Sequence, residues 1–317
     1  MASRIVDDMI TVRVHVGGVG YDAWAGPGHM TKGDAIVKVE RVTDPITEHG
    51  EGPCWSPSWG GLRWVDMTRG DVLGLTPSGD VSRRHVDDVA AVVRPRAGGG
   101  AIVGVERGVA LFDDQGEERR RVEIWTDPGI RMNEGGCAPD GTFYCGSMAY
   151  GKTPGTAALY RLTPELEVTT VLPHVTVSNG IDWSPDGRFA YYNDTDTGCV
   201  AVFDWDSDRG LTDRRVLARI RDGGLPDGLV VDAEGGIWTA IVNAGQVHRY
   251  TPDGDLDEVI SLPVQKVTAC TFGDRDLGTL YITTSREDLE PDEEPLSGSL
   301  FKIRPGVHGR PVREFAG

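Results

Sequence analysis

Four oxygen-bearing side chains recur at one position of a repeated phrase. Asn179 in "SNGIDWSPDG" and Asp227 in "LPDGLVVDAEG" lie 48 residues apart, and the apolar and turn positions that follow them match. Asn133 matches Asn179 at an offset of 46, and Glu51 matches it at an offset of 128. Carboxylate and amide oxygens are typical ligands of Ca²⁺, Mg²⁺ and Mn²⁺, and of Zn²⁺ when few ligands are used. The pattern therefore predicts a divalent metal site assembled from several repeats.

Asn-Gly and Asp-Gly pairs are also ordinary turn residues, and that reading suits any one of these positions taken singly. It does not suit four equivalent positions of which one is Glu51, because turns do not favour glutamate. A chemical role for the set is the better interpretation.

The repeat extends over most of the chain. Weaker copies begin near residues 90 and 268, so the units start near 51, 90, 133, 179, 227 and 268, at spacings of 39, 43, 46, 48 and 41. Spacings of this size are typical of propeller blades. Each unit reads as an apolar strand, a Pro/Asp/Gly turn, an aromatic and β-branched strand, and an alternating strand that ends in another turn. The sequence predicts an all-β fold, a six-bladed β-propeller with four antiparallel strands per blade.

The segment before the first unit suggests how the ring closes. Residues 35–42, "AIVKVERV", are expected to pair with the last blade, which removes an exposed edge. Residues 1–30 show no clear alternation and are predicted to be a poorly ordered N-terminal extension, whereas residues 31–317 form the catalytic propeller domain. If the repeated phrases are the innermost strands, their first residues converge at one end of the central channel.

The composition disfavours several classes of partner. The 317-residue chain has a formal net charge of −17, which opposes binding to nucleic acid and to anionic membranes. No run of about 18 apolar residues is present, and the start does not resemble a secretory signal, so no membrane span and no export are expected. The five cysteines include no C-x-x-C pair, which favours reduced thiols. We expect a cytoplasmic monomer or homodimer.

A set of motifs identifies a family resemblance. In order, "EGP", "RMNEGG", "SNGIDWSPDG", "LPDGLVVDAEGGIW" and "GTLYITTS" followed by "SGSLFKI" resemble the regucalcin/gluconolactonase family, from about residue 36 to residue 309. The resemblance implies one divalent cation (Ca, Zn, Mn or Mg) at the channel mouth, with Glu51, Asn179 and Asp227 as its ligands. It also implies that Arg131 and Asn133 contact the substrate.

Two positions depart from the family pattern. The residue after Asn133 is commonly Asp in the family and is Glu134 here; we group it with the substrate-binding residues. The loop over the site reads "MAYGK" where animal members carry acidic residues. Tyr150 and Lys152 in that loop are candidates for a lid, and a solvated loop is the alternative.

The resemblance implies a metal-dependent hydrolase that opens sugar lactones. The cation would polarise the carbonyl, and Asp227 is the best candidate for the general base that takes a proton from the attacking water. The chain has no G-x-S-x-G motif, and its histidines lack paired ligand spacing. His49, two residues before Glu51, is the one candidate for a place near the site, and a hydrogen-bonded turn histidine is the favoured alternative for it. A phosphotriesterase on the same metal and a non-catalytic Ca-binding propeller are the alternatives. A scaffold has no need for matched oxygen ligands, which favours the hydrolase.

Overall fold

The computed structural model describes residues 8–16, 34–221, 223–290 and 292–317. These residues form six four-stranded antiparallel blades, which confirms the predicted all-β six-bladed propeller. The six inner strands contact one another in sequence around the ring, and that of blade 6 returns to that of blade 1. No helix in the described ranges is long and apolar enough to cross a membrane.

Within each of the first five blades, the strands follow chain order from the channel outward. Blade by blade, the strands are Gly50–Ser56, Gly61–Asp66, Asp71–Leu75 and Val81–His85; Ala90–Pro95, Ala101–Val105, Gly108–Phe112 and Glu118–Glu123; Ile130–Cys137, Phe143–Ala149, Ala157–Leu162 and Val168–Val175; Ser178–Trp183, Phe189–Asp194, Cys199–Asp206 and Gly210–Arg219; Leu225–Val231, Ile237–Val242, Gln246–Tyr250 and Leu256–Ser261; Val267–Gly273, Thr279–Thr284, Phe301–Ile303 and Asp34–Arg41. The short 3₁₀ helices are Pro57–Trp59, Met67–Arg69 and Thr195–Thr197.

Two N-terminal strands pair with blades 5 and 6. Asp34–Arg41 runs antiparallel to Phe301–Ile303 and is the outer strand of blade 6. A further strand, Asp8–Val16, pairs with Asp34–Arg41 on one side and with Leu256–Ser261 of blade 5 on the other. Blades 5 and 6 therefore share one nine-stranded sheet. The sequence led us to expect a single N-terminal strand at this point, and the structure has two. The rest of the predicted extension, within residues 1–30, lies outside the described residues.

Aromatic side chains fill the spaces between neighbouring blades. Tyr144 of blade 3 meets Trp183 of blade 4 edge-to-face, with ring centroids 5.3 Å apart. Trp238 of blade 5 meets Phe272 of blade 6 in the same way at 5.9 Å. Such geometry is favoured for aromatic pairs, and these large buried faces hold adjacent sheets in a fixed orientation. The inner strands are consequently rigid supports for residues that face the channel.

Each inner strand carries a register irregularity at the same point. The shifts fall between residues 51 and 54, 90 and 92, 132 and 135, 178 and 181, 226 and 229, and 267 and 269. Bulges bend a strand and redirect a side chain, and they are common beside active sites. The residues within or at the edge of these shifts are Glu51, Ala91, Asn133, Asn179, Asp227 and Thr268. The repeated position found in the sequence is thus a bulge repeated around the channel.

The glycine that follows Asn179 and Asp227 has a packing function. A Cβ placed on Gly180 would lie 2.2 Å from the backbone nitrogen of Leu229 in the next blade. A Cβ on Gly228 would lie 2.4 Å from the Cβ of Ala269, again in the next blade. Neighbouring inner strands approach so closely at the bulge that only glycine fits there. The Asn-Gly and Asp-Gly pairs therefore combine a polar residue for the channel with a glycine for contact between blades.

We expect Gly180→Ala to lower the free energy of unfolding by about 3 kcal/mol or more, because the new methyl group meets backbone that cannot move independently. Gly98→Ala is the matched control: a Cβ there meets no atom within 4 Å, and its φ is not in the left-handed region. That variant should stay within about 0.5 kcal/mol of the parent protein. Denaturant unfolding of both variants measures the difference, and equal stabilities would contradict the packing argument.

The C-terminal segment covers the end of the channel opposite to Glu51. Asp182, three residues after Asn179, accepts from Arg310 at 3.1 Å and lies 3.4 Å from a guanidinium nitrogen of Arg313. Phe315 beyond them is fully buried, and its backbone N–H donates to the carbonyl of Pro95 in blade 2. The C-terminal segment therefore contacts the inner strand of blade 4 beyond the repeated polar residue Asn179.

Candidate metal and substrate site

The predicted ligands lie on three different inner strands and converge on the channel. Glu51 of blade 1, Asn179 of blade 4 and Asp227 of blade 5 are 2%, 4% and 7% exposed. Burial and then the charge of Asp227 raise the pKa of Glu51, and the Asn179 side chain acts to lower the pKa of Asp227, so the three groups are neighbours. The symmetry of the repeat explains this convergence, because equivalent positions of a propeller face one axis.

Two oxygens of this set are buried without a partner. Oδ1 of Asn179 and Oδ1 of Asp227 accept no hydrogen bond. The amide nitrogen of Asn179 donates to Thr195 Oγ1 at 2.9 Å, which fixes the side chain by its other end. An unsatisfied buried acceptor costs about 1–3 kcal/mol, and folded proteins retain few of them. A cation between these oxygens would satisfy both, so the residues present fit a divalent metal.

The predicted ligands include no cysteine or histidine, the residues that hold transition metals in closed structural sites. Within the described ranges, no group of three or more His, Cys, Asp or Glu side chains is arranged to hold a metal ion. The converging set combines two carboxylates with an amide. An all-oxygen set of this kind suits a hard cation that keeps part of its coordination for water or substrate.

Burial makes the two carboxylates unfavourable as isolated anions. It raises the pKa of Glu51 well above its usual range, and the negative charges of Asp227 and Glu134 add to the shift. It raises the pKa of Asp227 in the same way, with a further contribution from Glu134. A nearby divalent charge reverses this tendency, because it favours the ionised form of every carboxylate around it.

The backbone of Asp227 is held by a residue that sequence reasoning missed. Asn193 is fully buried, and its amide nitrogen donates to the carbonyl of Asp227 at 2.6 Å and to Thr239 Oγ1 at 2.9 Å. The signal in the sequence was the Asn-Asp pair that ends the aromatic strand "FAYYND". A buried strand rarely carries an amide side chain unless that side chain has a specific hydrogen-bond partner. Asn193 thus links blade 4 to the ligand position of blade 5.

Arg131 and Asn133 form a connected pair beside the ligands. Arg131 Nη1 donates to Asn133 Oδ1 at 2.7 Å and to the carbonyl of Met132 at 2.9 Å. Asn133 in turn donates to the carbonyl of Ser178 at 2.7 Å, immediately before the predicted ligand Asn179. Both side chains are buried, and burial lowers the pKa of the Arg131 guanidinium. The pair presents fixed donors next to the predicted metal position.

Glu134 does not extend the Arg131–Asn133 pair. Its Oε1 accepts from Arg94 Nη2 of blade 2 at 3.0 Å and from the backbone N–H of Gly135 at 2.8 Å. The side chain is 3% exposed and lies close enough to Glu51 for each carboxyl to shift the pKa of the other. Arg94 is a second residue that sequence reasoning missed, since nothing local in "AVVRPR" indicates its partner.

The loop predicted as a lid lies at the mouth. Tyr150 is 48% exposed, its hydroxyl donates to Glu106 Oε1 at 2.9 Å, and its ring centroid is 5.9 Å from Arg131 Cζ. Burial and the Glu106 carboxylate raise the pKa of Tyr150 to about 12, so it stays protonated. Lys152 is exposed, with a left-handed backbone at φ 50°. Closure of this loop over a ligand stays a prediction.

His49 lies at the rim and stays neutral. Its Nδ1 is 2.7 Å from Ser285 Oγ. Burial and then the positive charge of Arg131 lower the pKa of His49 to about 3. Its ring is therefore a hydrogen-bonded part of the rim, separate from the three oxygen ligands.

Comparisons with known proteins agree with this architecture. Residues 49–286 match the family described as SMP-30/Gluconolactonase/LRE-like region. Regucalcin of Danio rerio is 33% identical over 292 residues, which cover 89% of this chain and 99% of that protein. A 6-deoxy-6-sulfogluconolactonase of Pseudomonas putida is 34% identical over 276 residues, covering 84% of this chain and 95% of the relative.

The fold is also found in a solved relative. The crystal structure of a calcium-binding regucalcin from Agrobacterium tumefaciens superposes with a TM-score of 0.82 at 26% identity, over 87% of this chain and 96% of that one. The family match covers most of the propeller, including all three predicted ligands. The chain belongs to the SMP-30/gluconolactonase/LRE-like family.

Proposed function

We propose that this protein hydrolyses sugar lactones with the help of one divalent cation held by Glu51, Asn179 and Asp227. The observation that carries the proposal is the pair of unpartnered buried oxygens, Asn179 Oδ1 and Asp227 Oδ1, beside the fixed Arg131–Asn133 pair. A divalent cation bound there would supply a Lewis acid that polarises the lactone carbonyl. The Pseudomonas putida lactonase and the calcium-binding regucalcin structure support the substrate class and the cation respectively.

The chain's own residues supply orientation and proton transfer. Arg131 offers a planar guanidinium for hydroxyl or carboxylate oxygens of the substrate, and Asn133 holds that guanidinium in place at 2.7 Å. Preorganised donors of this kind lower the cost of ordering the substrate. Asp227 accepts the proton of the attacking water as the water oxygen bonds to the carbonyl carbon. The ring C–O bond then breaks, and the same proton passes to the leaving alkoxide.

A substrate panel tests the proposal. We expect the metal-loaded protein to open γ- and δ-lactones of sugars, measured as acid release. Linear esters and phosphotriesters should be hydrolysed at least about 100-fold more slowly, because the fixed donors suit a cyclic polyol. Arg131→Ala and Asn133→Ala should each lower kcat/KM by about 10–100-fold, the usual loss for a hydrogen bond to a charged group. Neither variant should have a higher dissociation constant for the cation in titration calorimetry, because neither loses a predicted oxygen ligand.

Two further variants complete this comparison. Arg209→Ala removes a guanidinium that is 67% exposed on blade 4, and it should change neither activity nor cation binding. Asn179→Ala should weaken cation binding itself. Equal loss of the cation in Asn179→Ala and Arg131→Ala would show that the ligand set is drawn wrongly. A phosphotriester hydrolysed faster than every lactone would replace the proposed reaction.

A further inference from the structure

A buried ion pair lies next to the predicted ligands. Arg94 Nη2 donates to Glu134 Oε1 at 3.0 Å, and the two side chains are 13% and 3% exposed. Arg94 Nη1 also donates to the carbonyls of Gly52 at 3.1 Å and Val93 at 2.9 Å. The pair joins three blades, since Gly52 belongs to blade 1, Arg94 to blade 2 and Glu134 to blade 3.

Both partners are oriented by backbone of the bulged region. Glu134 lies inside the register shift of blade 3, and its Oε1 accepts the N–H of Gly135 at 2.8 Å. Arg94 reaches the carbonyl of Gly52, the residue directly after the ligand Glu51, whose own Oε2 accepts the N–H of Gly52 at 2.9 Å. Arg94 therefore holds the carboxylate of Glu134 with one nitrogen and the turn that carries Glu51 with the other.

The Arg94–Glu134 pair affects the charge around the predicted ligands. Three buried carboxylates, Glu51, Glu134 and Asp227, lie close enough to act on one another electrostatically. Arg94 binds one of them, Glu134, at direct hydrogen-bond distance. Arg131 acts on Glu51 and Asp227 as a neighbouring charge, and it donates to Asn133 rather than to either carboxylate. The two predicted ligands are therefore the carboxylates left without a guanidinium bound directly to them. Without that arginine, three negative charges would face the same position, and buried charge interactions are screened weakly.

We propose that Arg94 and Glu134 are a positioning pair: Arg94 offsets the negative charge of Glu134 at the metal site and holds Glu51 in place, and Glu134 does not contact the substrate. This inference rests on the proposed metal site but not on the proposed lactone chemistry. It corrects the grouping of Glu134 with Arg131 and Asn133, since Glu134 is bonded within the channel wall. The pair acts through Glu51 on the cation.

Cation affinities measured without substrate test the pair. Glu134→Gln leaves the Arg94 charge unbalanced, and we expect its dissociation constant for Ca²⁺ to rise about tenfold or more. Arg94→Gln leaves three carboxylates, and we expect its affinity for La³⁺ relative to Ca²⁺ to rise about tenfold or more. The double variant restores the balance and should bind Ca²⁺ within about threefold of the parent protein, as coupled residues do in such a cycle. Titration calorimetry on the full chain gives each constant.

A partly buried ion pair outside the channel is the matched control. Asp140→Asn removes the carboxylate that Arg161 contacts at 2.9 Å in the first hairpin of blade 3, beyond the end of its inner strand. We expect its Ca²⁺ affinity to stay within about twofold, because screening weakens a charge outside the channel. Arg94→Lys keeps the charge and should keep the ion preference. Thermal melting will show whether each variant folds. If Glu134→Gln does not fold, the comparison of Arg94→Lys with Arg94→Gln still tests the role of the arginine charge.

Two outcomes would overturn the inference. Unchanged Ca²⁺ affinity in Glu134→Gln with a raised KM would make Glu134 a substrate contact. An unchanged La³⁺ to Ca²⁺ preference in Arg94→Gln would remove the charge-setting role. A protein that hydrolyses no lactone but shows the expected affinities would refute the proposed reaction and leave the positioning pair intact.

Discussion

In Asp227→Asn, kcat on a sugar lactone is expected to fall by about 10²–10⁴-fold at saturating cation, the usual loss when a general base is removed. Asparagine keeps an oxygen ligand of the same size, so the cation should still bind, with lower affinity because one negative charge is gone. The amide cannot accept the proton of the attacking water, and this loss is separate from cation occupancy. Steady-state kinetics on protein whose cation content has been measured directly distinguishes the two effects.

Two further measurements strengthen the assignment of Asp227. Raising the pH should restore part of the activity of Asp227→Asn, because hydroxide does not require a base. Asp186→Asn makes the same chemical change in an exposed repeat turn, where the side chain accepts from Ser184 and from the N–H of Arg188, and it should leave kcat unchanged. If Asp227→Asn at full cation occupancy turns over within about threefold of the parent protein, Asp227 is a cation ligand and not the general base.

Protein freed of its divalent cation is expected to show no detectable lactone hydrolysis, and Ca²⁺, Mn²⁺, Mg²⁺ or Zn²⁺ should restore it. The carbonyl would lose its Lewis acid, and the buried oxygens of Asn179 and Asp227 would again have no partner. The cation should also stabilise the fold, by about 2.7 kcal/mol at 100 times its dissociation constant. Acid release and thermal melting, each with chelator and with added cation, measure the two effects.

Asn179→Ala serves as the internal control for this experiment. It should need a higher cation concentration to reach half of its own maximal activity, whereas Arg131→Ala should need no higher a concentration than the parent protein. Elemental analysis of the chelated sample is essential, since a tightly bound residual ion would imitate independence from metal. Undiminished turnover in protein shown to contain no metal would contradict the proposed role of the cation.

Much of the propeller could be read from the sequence because its signals are local. The alternation and the Pro/Asp/Gly turns of "SNGIDWSPDG" specify a strand and its hairpin within ten residues. The predicted unit starts at 51, 90, 133, 179, 227 and 268 fall on the inner strands of the six blades. Symmetry then places Glu51, Asn179 and Asp227 around one axis, since equivalent positions of a closed ring must face each other.

The direction of individual side chains in the channel was decided by the tertiary structure. Glu134 directly follows Asn133, yet the register shift in blade 3 and the guanidinium of Arg94, 40 residues earlier, direct it into the channel wall. Asn193 reaches the backbone of Asp227 from the neighbouring blade in the same way.

The sequence by itself thus determined the repeat, the six blades and the ring of polar positions, because each depends on residues within one hairpin. The tertiary structure alone decided which side chains pair across blades, and how Asp8–Val16 joins blades 5 and 6 in one sheet. Those contacts join segments distant in the chain and depend on where each bulge bends its strand. No local pattern records them, because their partners meet only once the ring has formed.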